Sequence, residues 1–436
     1  MEAVLSSESV NTDVLPGNLS YGLDPTGSWC THKRDATVFA LGNLYSPAGV
    51  QMISIPFGSS SEWLIPESIY FSALFTNKEA KPCIPADPDP NVLFERMDIR
   101  MGGQLVESLT ELARCNTLFT RLTMSAAKKL QVAQMGFGTA VPATSAVPYY
   151  DAAANHKAEP VAAGATVRIF WKLHLSALLS QHRWVPLFCL SGNGLSINLF
   201  LAPFADSLTK SGTTNSMSYE LSDVQAKCSM CTIDDSLQNS FNEQLIAGAA
   251  LRIPLKKIES IYNYIPSSSS NHFDVALSRN YTRLASLWAT FAQEPMADGT
   301  KMLANTFYAP GDAVTKEKLE YFLQLGTRKI PDQPVQGYRE AWWRLMDCVG
   351  IGGSLAHSNG ITKADYEGGG SFAVCTDCEK IAHLASSGEN LSNTSTLFMK
   401  FKNVGVSSSD LPSRVHLIAQ FDSIVECRST TVELFE

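Results

Sequence analysis

The sequence is short of charge. Asp, Glu, Lys and Arg make up 17% of its 436 residues, against 45% apolar residues, where a soluble domain ordinarily carries about a quarter charged residues. So little polar surface predicts that much of the folded chain faces other protein, which favours an assembly. Basic excess is missing as well: the net charge is −8, so no global positive field recruits nucleic acid or an anionic membrane. No apolar run approaches the roughly 20 residues of a membrane span. The longest, such as "ALLS" and "LFLAPFA", are far shorter, and the polar, acidic N-terminus is not a signal peptide. These absences predict a soluble, intracellular chain.

Catalytic signatures are also absent. The eight histidines, His32, His156, His174, His182, His272, His357, His383 and His416, are dispersed and form no HExxH pair. There is no Walker loop and no nucleophile-elbow serine. "GIGGS" at 350–354 and "EGGGS" at 367–371 lack the Lys-Ser/Thr of a phosphate cradle and read as flexible loops. Asp87 and Asp89 in "PADPDPN" have the look of a glycosidase dyad or a calcium ligand set, but the flanking prolines favour a rigid polar loop. The chain is therefore read as a non-enzyme, with no catalytic, cofactor-binding or metal-binding residue assigned and no cofactor expected.

Ten cysteines in so long a chain do not make a disulfide framework. "CSMC" (Cys228, Cys231) and "CTDC" (Cys375, Cys378) each have the spacing of half a zinc site. Against that, "YELSDVQAKCSMCTID" alternates like a strand, and positions i and i+3 of a strand point to opposite faces. Buried reduced thiols without zinc are expected.

What is present is strand. "DATVFALG", "VQMISIPFG", "SEWLIPESIYFSALFTN", "TVRIFWKLHLSALL", "GLSINLFLAPF", "AALRIPLKKIESIYNYI", "RLASLWATF", "STLFMKFKNV" and "RVHLIAQFDSIVECRSTTVELF" are separated by turn residues, the pattern of antiparallel sandwiches or barrels. "MDIRMGGQLVES" (97–108) reads as a hairpin, because Gly102-Gly103 supplies the positive φ angles of a two-residue loop. Unbroken pairing would set Ile99 against Val106 and Asp98 against Glu107, the second a like-charge pair.

Helix is scarce. "SLTELARCNTLFTRLTMSAAKKL" carries Leu109, Leu112, Cys115, Phe119 and Leu122 on one face, "SLQNSFNEQLIAG" ends at Gly248, and "GYREAWWRLMDCVG" carries Tyr338, Trp342, Leu345 and Val349. About half the chain after Gly102, "YFLQLGTRKIPDQP" again reads as a strand reaching a glycine turn, at Gly326, with a striped helix following. The element order looks duplicated, although identity between the halves is negligible.

The run "WLIPESIYFSALFTN", then "NVLFERMDIRMGGQLVES" and the helix "LTELARCNTLFTRL", resembles the first roll of double jelly-roll major capsid proteins of the adenovirus-like, polinton-like, virophage and large eukaryotic DNA virus lineage. The resemblance extends over about residues 36–436 through "VRIFWKLHLSALLSQHRWVPLFCLSGNGLSINLFLAP", "ALRIPLKKIESI", "LQLGTRKIPDQP" and "FDSIVECRSTTVELFE". The family's hairpin turn is typically Asn-Gly; Gly-Gly keeps the backbone requirement. What the resemblance implies is an all-β fold of two tandem eight-stranded antiparallel jelly-roll sandwiches with a few short helices. The implied division is an extended arm over 1–35, a first jelly roll over 36–235, a connecting helix over 236–249 and a second jelly roll over 250–436.

The implied function is that of a major capsid protein. Pseudo-hexameric homotrimers would tile an icosahedral DNA-virus shell within the virion, assembled inside the host cell. Its partners would be neighbouring capsomers and minor capsid, penton or internal membrane components, with no direct sequence-specific nucleic acid binding. The 1–35 segment fits that last point, since Glu2, Glu8, Asp13, Asp24 and Asp35 outnumber Lys33 and Arg34. Residues 136–166 and 298–320 are long enough to be surface loops with their own work in such a shell. The alternative from another class is a two-domain β-sandwich carbohydrate-binding, lectin-like protein.

Overall fold

A computed structural model describes residues 29–58, 60–138, 158–190, 192, 194–209, 215–265, 271–277, 279, 281–292, 307–311, 316–352, 361, 366–367, 371–380, 387–391, 397–405, 411–429 and 431–436. In its first half the strands are β1 (Cys30–Phe39), β2 (Leu44–Tyr45), β3 (Met52–Phe57), β4 (Trp63–Asn77), β5 (Phe94–Met101), β6 (Gln104–Thr110), β7 (Thr166–Trp171), β8 (Val185–Pro186), β9 (Leu195–Leu201) and β10 (Tyr219–Ile233). Helices α1 (Leu112–Thr123) and α2 (Ala126–Met135) follow β6, and the single turns α3 (Ala177–Ser180) and α4 (Phe204–Ser207) lie further on. Helix α5 (Asp235–Ile246) leads into β11 (Leu251–Tyr264), β12 (Phe273–Leu277), β13 (Leu284–Ala292), β14 (Glu320–Leu325) and β15 (Arg328–Gln336). Then come α6 (Gly337–Cys348), β16 (Val374–Asp377), β17 (Leu397–Lys402), β18 (Arg414–Cys427) and β19 (Val432–Phe435).

The strands pair antiparallel in four sheets. Two belong to the first half, in the orders β1-β10-β4-β7 and β3-β9-β5-β6, with β2 on β10 and β8 on β4. Two belong to the second, β11-β18-β13-β16 and β12-β17-β14-β15, with β19 on β18. If β2, β8 and β19 are set aside and the remaining strands of each half are numbered in chain order, both halves read 1-8-3-6 in one sheet and 2-7-4-5 in the other. That is the winding of a jelly roll, made twice. In both rolls the main helix, α1 or α6, follows the fifth strand. The repeat expected from the element order is therefore present in the pairing itself.

Each roll buries the inward faces of its two sheets. In the first, Phe71 stacks on Trp171 at 5.6 Å, and Phe94 reaches the same indole at 5.3 Å from the opposite sheet. In the second, Phe291 and Phe401 meet edge to face at 5.3 Å, with Tyr321 beyond Phe401. Such pairs add to the burial of aromatic surface that holds a sandwich together.

The glycine hairpins form as expected. Gly102 and Gly103 hold φ of +57° and +88°, and Met101 pairs with Gln104 across them. Gly326, at +56°, turns β14 into β15. The register differs from unbroken alternation: a bulge leaves Val106 unpaired, so Ile99 lies against Glu107 and Asp98 against Ser108. The bulge removes the like-charge pair. Asp98 instead accepts from Ser108 Oγ at 2.7 Å and from the Arg96 guanidinium.

The single helix expected from "SLTELARCNTLFTRLTMSAAKKL" is a strand end and two helices. Leu109 belongs to β6, Glu111 turns the chain at φ +54°, and α1 stops where Met124 becomes extended. Ser125 then caps α2 by accepting from the Lys128 amide. Helix α5 ends as expected, with Gly248 at φ +92°.

The first strand begins at Cys30, so Cys30–Asp35, assigned above to an extended arm, belong to a sheet; residues 1–28 lie outside the described residues. So do 139–157, most of 298–320, and 353–354 and 368–370 of the two glycine-rich stretches. No described helix is long and apolar enough to cross a membrane.

Candidate assembly surfaces

The two rolls meet along a seam built largely by α1. Ten of its twelve residues are buried, including Arg114, Asn116, Thr117 and Arg121, a burial that an amphipathic helix on one sandwich does not reach. The second roll supplies the cover. Arg114 donates to Thr290 Oγ1 at 3.1 Å and to the Phe291 carbonyl at 3.0 Å, both on β13. Its guanidinium lies 4.6 Å from the Phe307 ring, and that of Arg121 lies 5.3 Å from the same ring. Phe119 packs edge to face on Trp288 at 5.3 Å. Every residue of β13 is buried, because its outer face lies under α1. Burial lowers the Arg114 pKa to about 10, which leaves it cationic at neutral pH.

Beside α1, Thr110 Oγ1 on β6 donates to the Ser260 carbonyl on β11 at 2.8 Å, and Arg183 donates to the Arg252 carbonyl at 2.6 Å. Glu107, displaced by the bulge, is buried and accepts from Ser176 Oγ and the Ala177 amide, each at 2.8 Å, and from the Leu178 amide at 3.3 Å. It ties β6 to the turn α3. Burial pushes its carboxyl pKa up. A cleft of about 490 Å³ opens at the seam's mouth, lined by Gln51, Glu95, Arg96, Thr110, Glu111 and Tyr262 among others.

The candidates named from the sequence fall elsewhere. Asp87 and Asp89 form the support of α1. Asp89 caps the 3-10 turn Pro90–Leu93 through the Asn91 amide and accepts from Asn116 Nδ2 of α1 at 2.8 Å. Asp87 accepts from the Asp89 amide at 3.0 Å and faces Arg121 at 4.0 Å. Burial raises the Asp87 pKa to about 6, against the pull of Arg121.

Among the cysteines, Cys231 is bonded to Cys30, a correction to the reduced thiol expected there. The physical reason is that β1 is part of the sheet. An irregularity between Cys30 and His32 sets Cys30 diagonally across from Cys231, with Cα atoms 6.5 Å apart. Cys228 is buried beside it on the same strand, whereas Cys375 and Cys378 are buried in the other roll. Burial pushes the Cys228 thiol up to about 11 and those of Cys375 and Cys378 higher still. Among the described residues no three His, Cys, Asp or Glu side chains converge as a metal site would require. His156, His357 and His383 lie outside the described residues. His182 pairs with Glu67 on the surface at 2.7 Å, and His416 is fully buried at the seam.

Sequence reasoning missed the seam. The apolar stripe of the helix said nothing of Arg114 and Arg121, and only the fold shows that another roll covers them.

Among the described residues, the same position in the second roll has no such cover from the other roll. Helix α6 buries only Gly337, Tyr338, Ala341 and Leu345 of its twelve residues. Trp342 turns inward to Tyr366 at 4.8 Å, whereas Trp343 stands 57% exposed. On the first-roll sheet that corresponds to the covered sheet of the second, the outward-facing Phe39 on β1 and Tyr70 on β4 are exposed. Leu41, just beyond β1, Leu44 on β2 and Met52 on β3 of the other sheet are exposed as well.

Two antiparallel jelly rolls in tandem, joined through a helix of the first, define the double jelly-roll fold. Solved structures with this architecture match the chain almost end to end. The capsid protein VP54 of PBCV-1, fitted into a reconstruction of the virophage Sputnik, is similar with a TM-score of 0.62 at 10% identity, over 95% of this chain and 99% of that one. A chain of the Sputnik virophage structure gives 0.58 at 10% identity, over 97% and 92%. The Faustovirus major capsid protein gives 0.58 at 8% identity, over 98% and 94%. No family model matches the sequence, and no curated protein matches it.

Proposed function

We propose that the chain is a viral major capsid protein, a structural subunit without enzymatic activity, whose homotrimers tile an icosahedral shell. The observation that carries this reading is the inequality of two equivalent helices: α1 is covered by the chain's own second roll, and α6 is not. A second copy of the chain supplies the missing cover. The outer face of its first-roll sheet, with Phe39 and Tyr70, lies over α6 and Trp343, as the second roll's sheet lies over α1. Seams within and between chains then alternate, and a ring of three chains holds six rolls and closes. The whole-length likeness to capsid proteins of PBCV-1, Sputnik and Faustovirus supports the same reading.

The domain division proposed with it places the boundary in the connecting helix at 236–249, with the second roll over 250–436 and the first extended back to Cys30. No described strand of one half pairs with a strand of the other, which supports that division.

Light scattering on the chromatographed protein, followed by electron microscopy of the same fraction, tests the assembly. Three-chain particles with a pseudo-hexagonal outline are expected. A monodisperse monomer at micromolar concentration overturns the reading, and retention of that monomer on a sugar resin with elution by free sugar would assign it to the lectin class instead.

A further inference from the structure

His416 lies in the middle strand of the seam, on β18, and none of its surface reaches solvent. Among the described residues, neither Nδ1 nor Nε2 has a hydrogen-bond partner. Its strand neighbours are Tyr262 on β11 and Thr290 on β13. Thr290 is the hydroxyl that receives Arg114 from α1, and the Tyr262 ring lies 6.0 Å from the imidazole. Two residues before His416 on the same strand, Arg414 stacks on Tyr264 at 4.6 Å.

The charges that act on the imidazole are the guanidinium groups of Arg114 and Arg414, both of the same sign as its own proton. The carboxylates of the cluster, Glu111 at the start of α1 and Asp206 in α4, act on the arginines. Tyr262 presents a ring. A proton on His416 would therefore add a third cation to a closed contact between rolls, with no acceptor for either N–H.

We propose that His416 is an acid-sensitive latch on the seam between the two rolls: neutral imidazole fits the closed seam, and one proton taken up on opening holds it apart. The inference concerns the single chain and does not depend on the capsid reading. Linkage sets its direction. Closed, the imidazole stays neutral well below its ordinary range; open, it titrates near its ordinary value of about 6.5. The open state therefore binds more protons in acid, and seam stability falls as pH drops below about 6.5, by close to tenfold in the opening equilibrium per pH unit. Above that pH the latch has no effect. A chain assembled at neutral pH would loosen at this seam in an acidic compartment.

The test is hydrogen exchange on the full-length protein between pH 5 and 7.5. Amides of α1 and β13, corrected for intrinsic exchange rates, should open about tenfold more often per pH unit below 6.5, and should not in His416→Gln or His416→Phe. Exchange at the imidazole C2 position of the wild-type protein gives a readout that needs no variant, and His416 should show no titration in the closed state across this range. An ordinary titration of His416 near pH 6.5 in the closed state overturns the proposal. So does an acid response of α1 and β13 that is the same in the wild-type protein and in whichever variant folds.

Discussion

Arg114 and Thr290 join the two halves of the molecule: a guanidinium carried by the helix of one roll meets a hydroxyl on the central strand of the other at 3.1 Å, out of contact with water. The same guanidinium also donates to the Phe291 carbonyl, which accepts from the Tyr308 amide at 2.9 Å as well, so its removal takes the described partner from the Thr290 hydroxyl and one of two donors from the carbonyl.

Replacing Arg114 with Ala should cost about 3 kcal/mol, since the buried Thr290 hydroxyl loses its partner, a cavity opens in the seam and the Phe307 ring keeps only the more distant of its two guanidinium neighbours. Arg34, paired with Glu62 on the surface, serves as the control, and its replacement should cost less than about 1 kcal/mol. Denaturant midpoints of the two variants, compared under the same conditions, measure the difference. Equal effects would show that the seam contributes no more than an exposed ion pair.

Asp87 should act in the opposite pH sense to His416. Its folded pKa of about 6 lies above the ordinary carboxyl value, so the folded state holds the proton more tightly than the unfolded one. The favourable contribution is complete below about pH 4 and is lost as pH rises through 6. Asp87→Asn should therefore be more stable than the parent at pH 7, by about 1 to 3 kcal/mol, with the advantage gone at pH 4. Thermal melts of both proteins at the two pH values check this, and a variant weaker than the parent at pH 7 would mean that the contact with Arg121 outweighs the burial.

The first hairpin should discriminate by backbone conformation. Gly102, at φ +57°, should accept Asn with a change below about 0.5 kcal/mol, whereas Val should cost more than about 1 kcal/mol. A Cβ there meets only Val432 Cγ2 at 3.4 Å, so crowding does not decide the outcome. The melting temperatures of the two variants report it directly.

Trp343→Glu should abolish association while leaving the monomer folded, because the indole stands exposed and its described ring contact is the neighbouring Arg344 guanidinium at 5.5 Å, not the core of its roll. Chromatography with light scattering should find a single chain with an unchanged circular dichroism spectrum. A persisting trimer would remove α6 from the contact.

Much of the fold was legible because it is carried by local chemistry. Alternating apolar residues marked β4, β9 and β10, and the demand for positive φ marked both hairpins at Gly102 and Gly326. The order strand, glycine hairpin, helix was readable twice. What escaped depends on contacts distant in sequence. The bulge at Val106 resolves a conflict between Asp98 and Glu107 that alternation alone registers only as a mismatch. Cys30 and Cys231 are 201 residues apart and meet only once β1 joins the sheet. The burial of Arg114, Arg121 and His416 has no sequence signal, because a polar side chain facing a second sandwich is written with the same letters as one facing water.

The covering of α1 by the chain's own second roll also bears on the kinetics of building a ring. Six separate rolls would have to find one another in a process steep in the sixth power of concentration, and each encounter would cost the translational freedom of another body. In the three-chain ring proposed above, three of the six seams are already closed within single polypeptides, and the encounter order falls to three. The linked roll sits at an effective concentration that no dilution lowers. Low subunit concentration, as at the onset of expression, is where that difference in reaction order would count most for the proposed assembly.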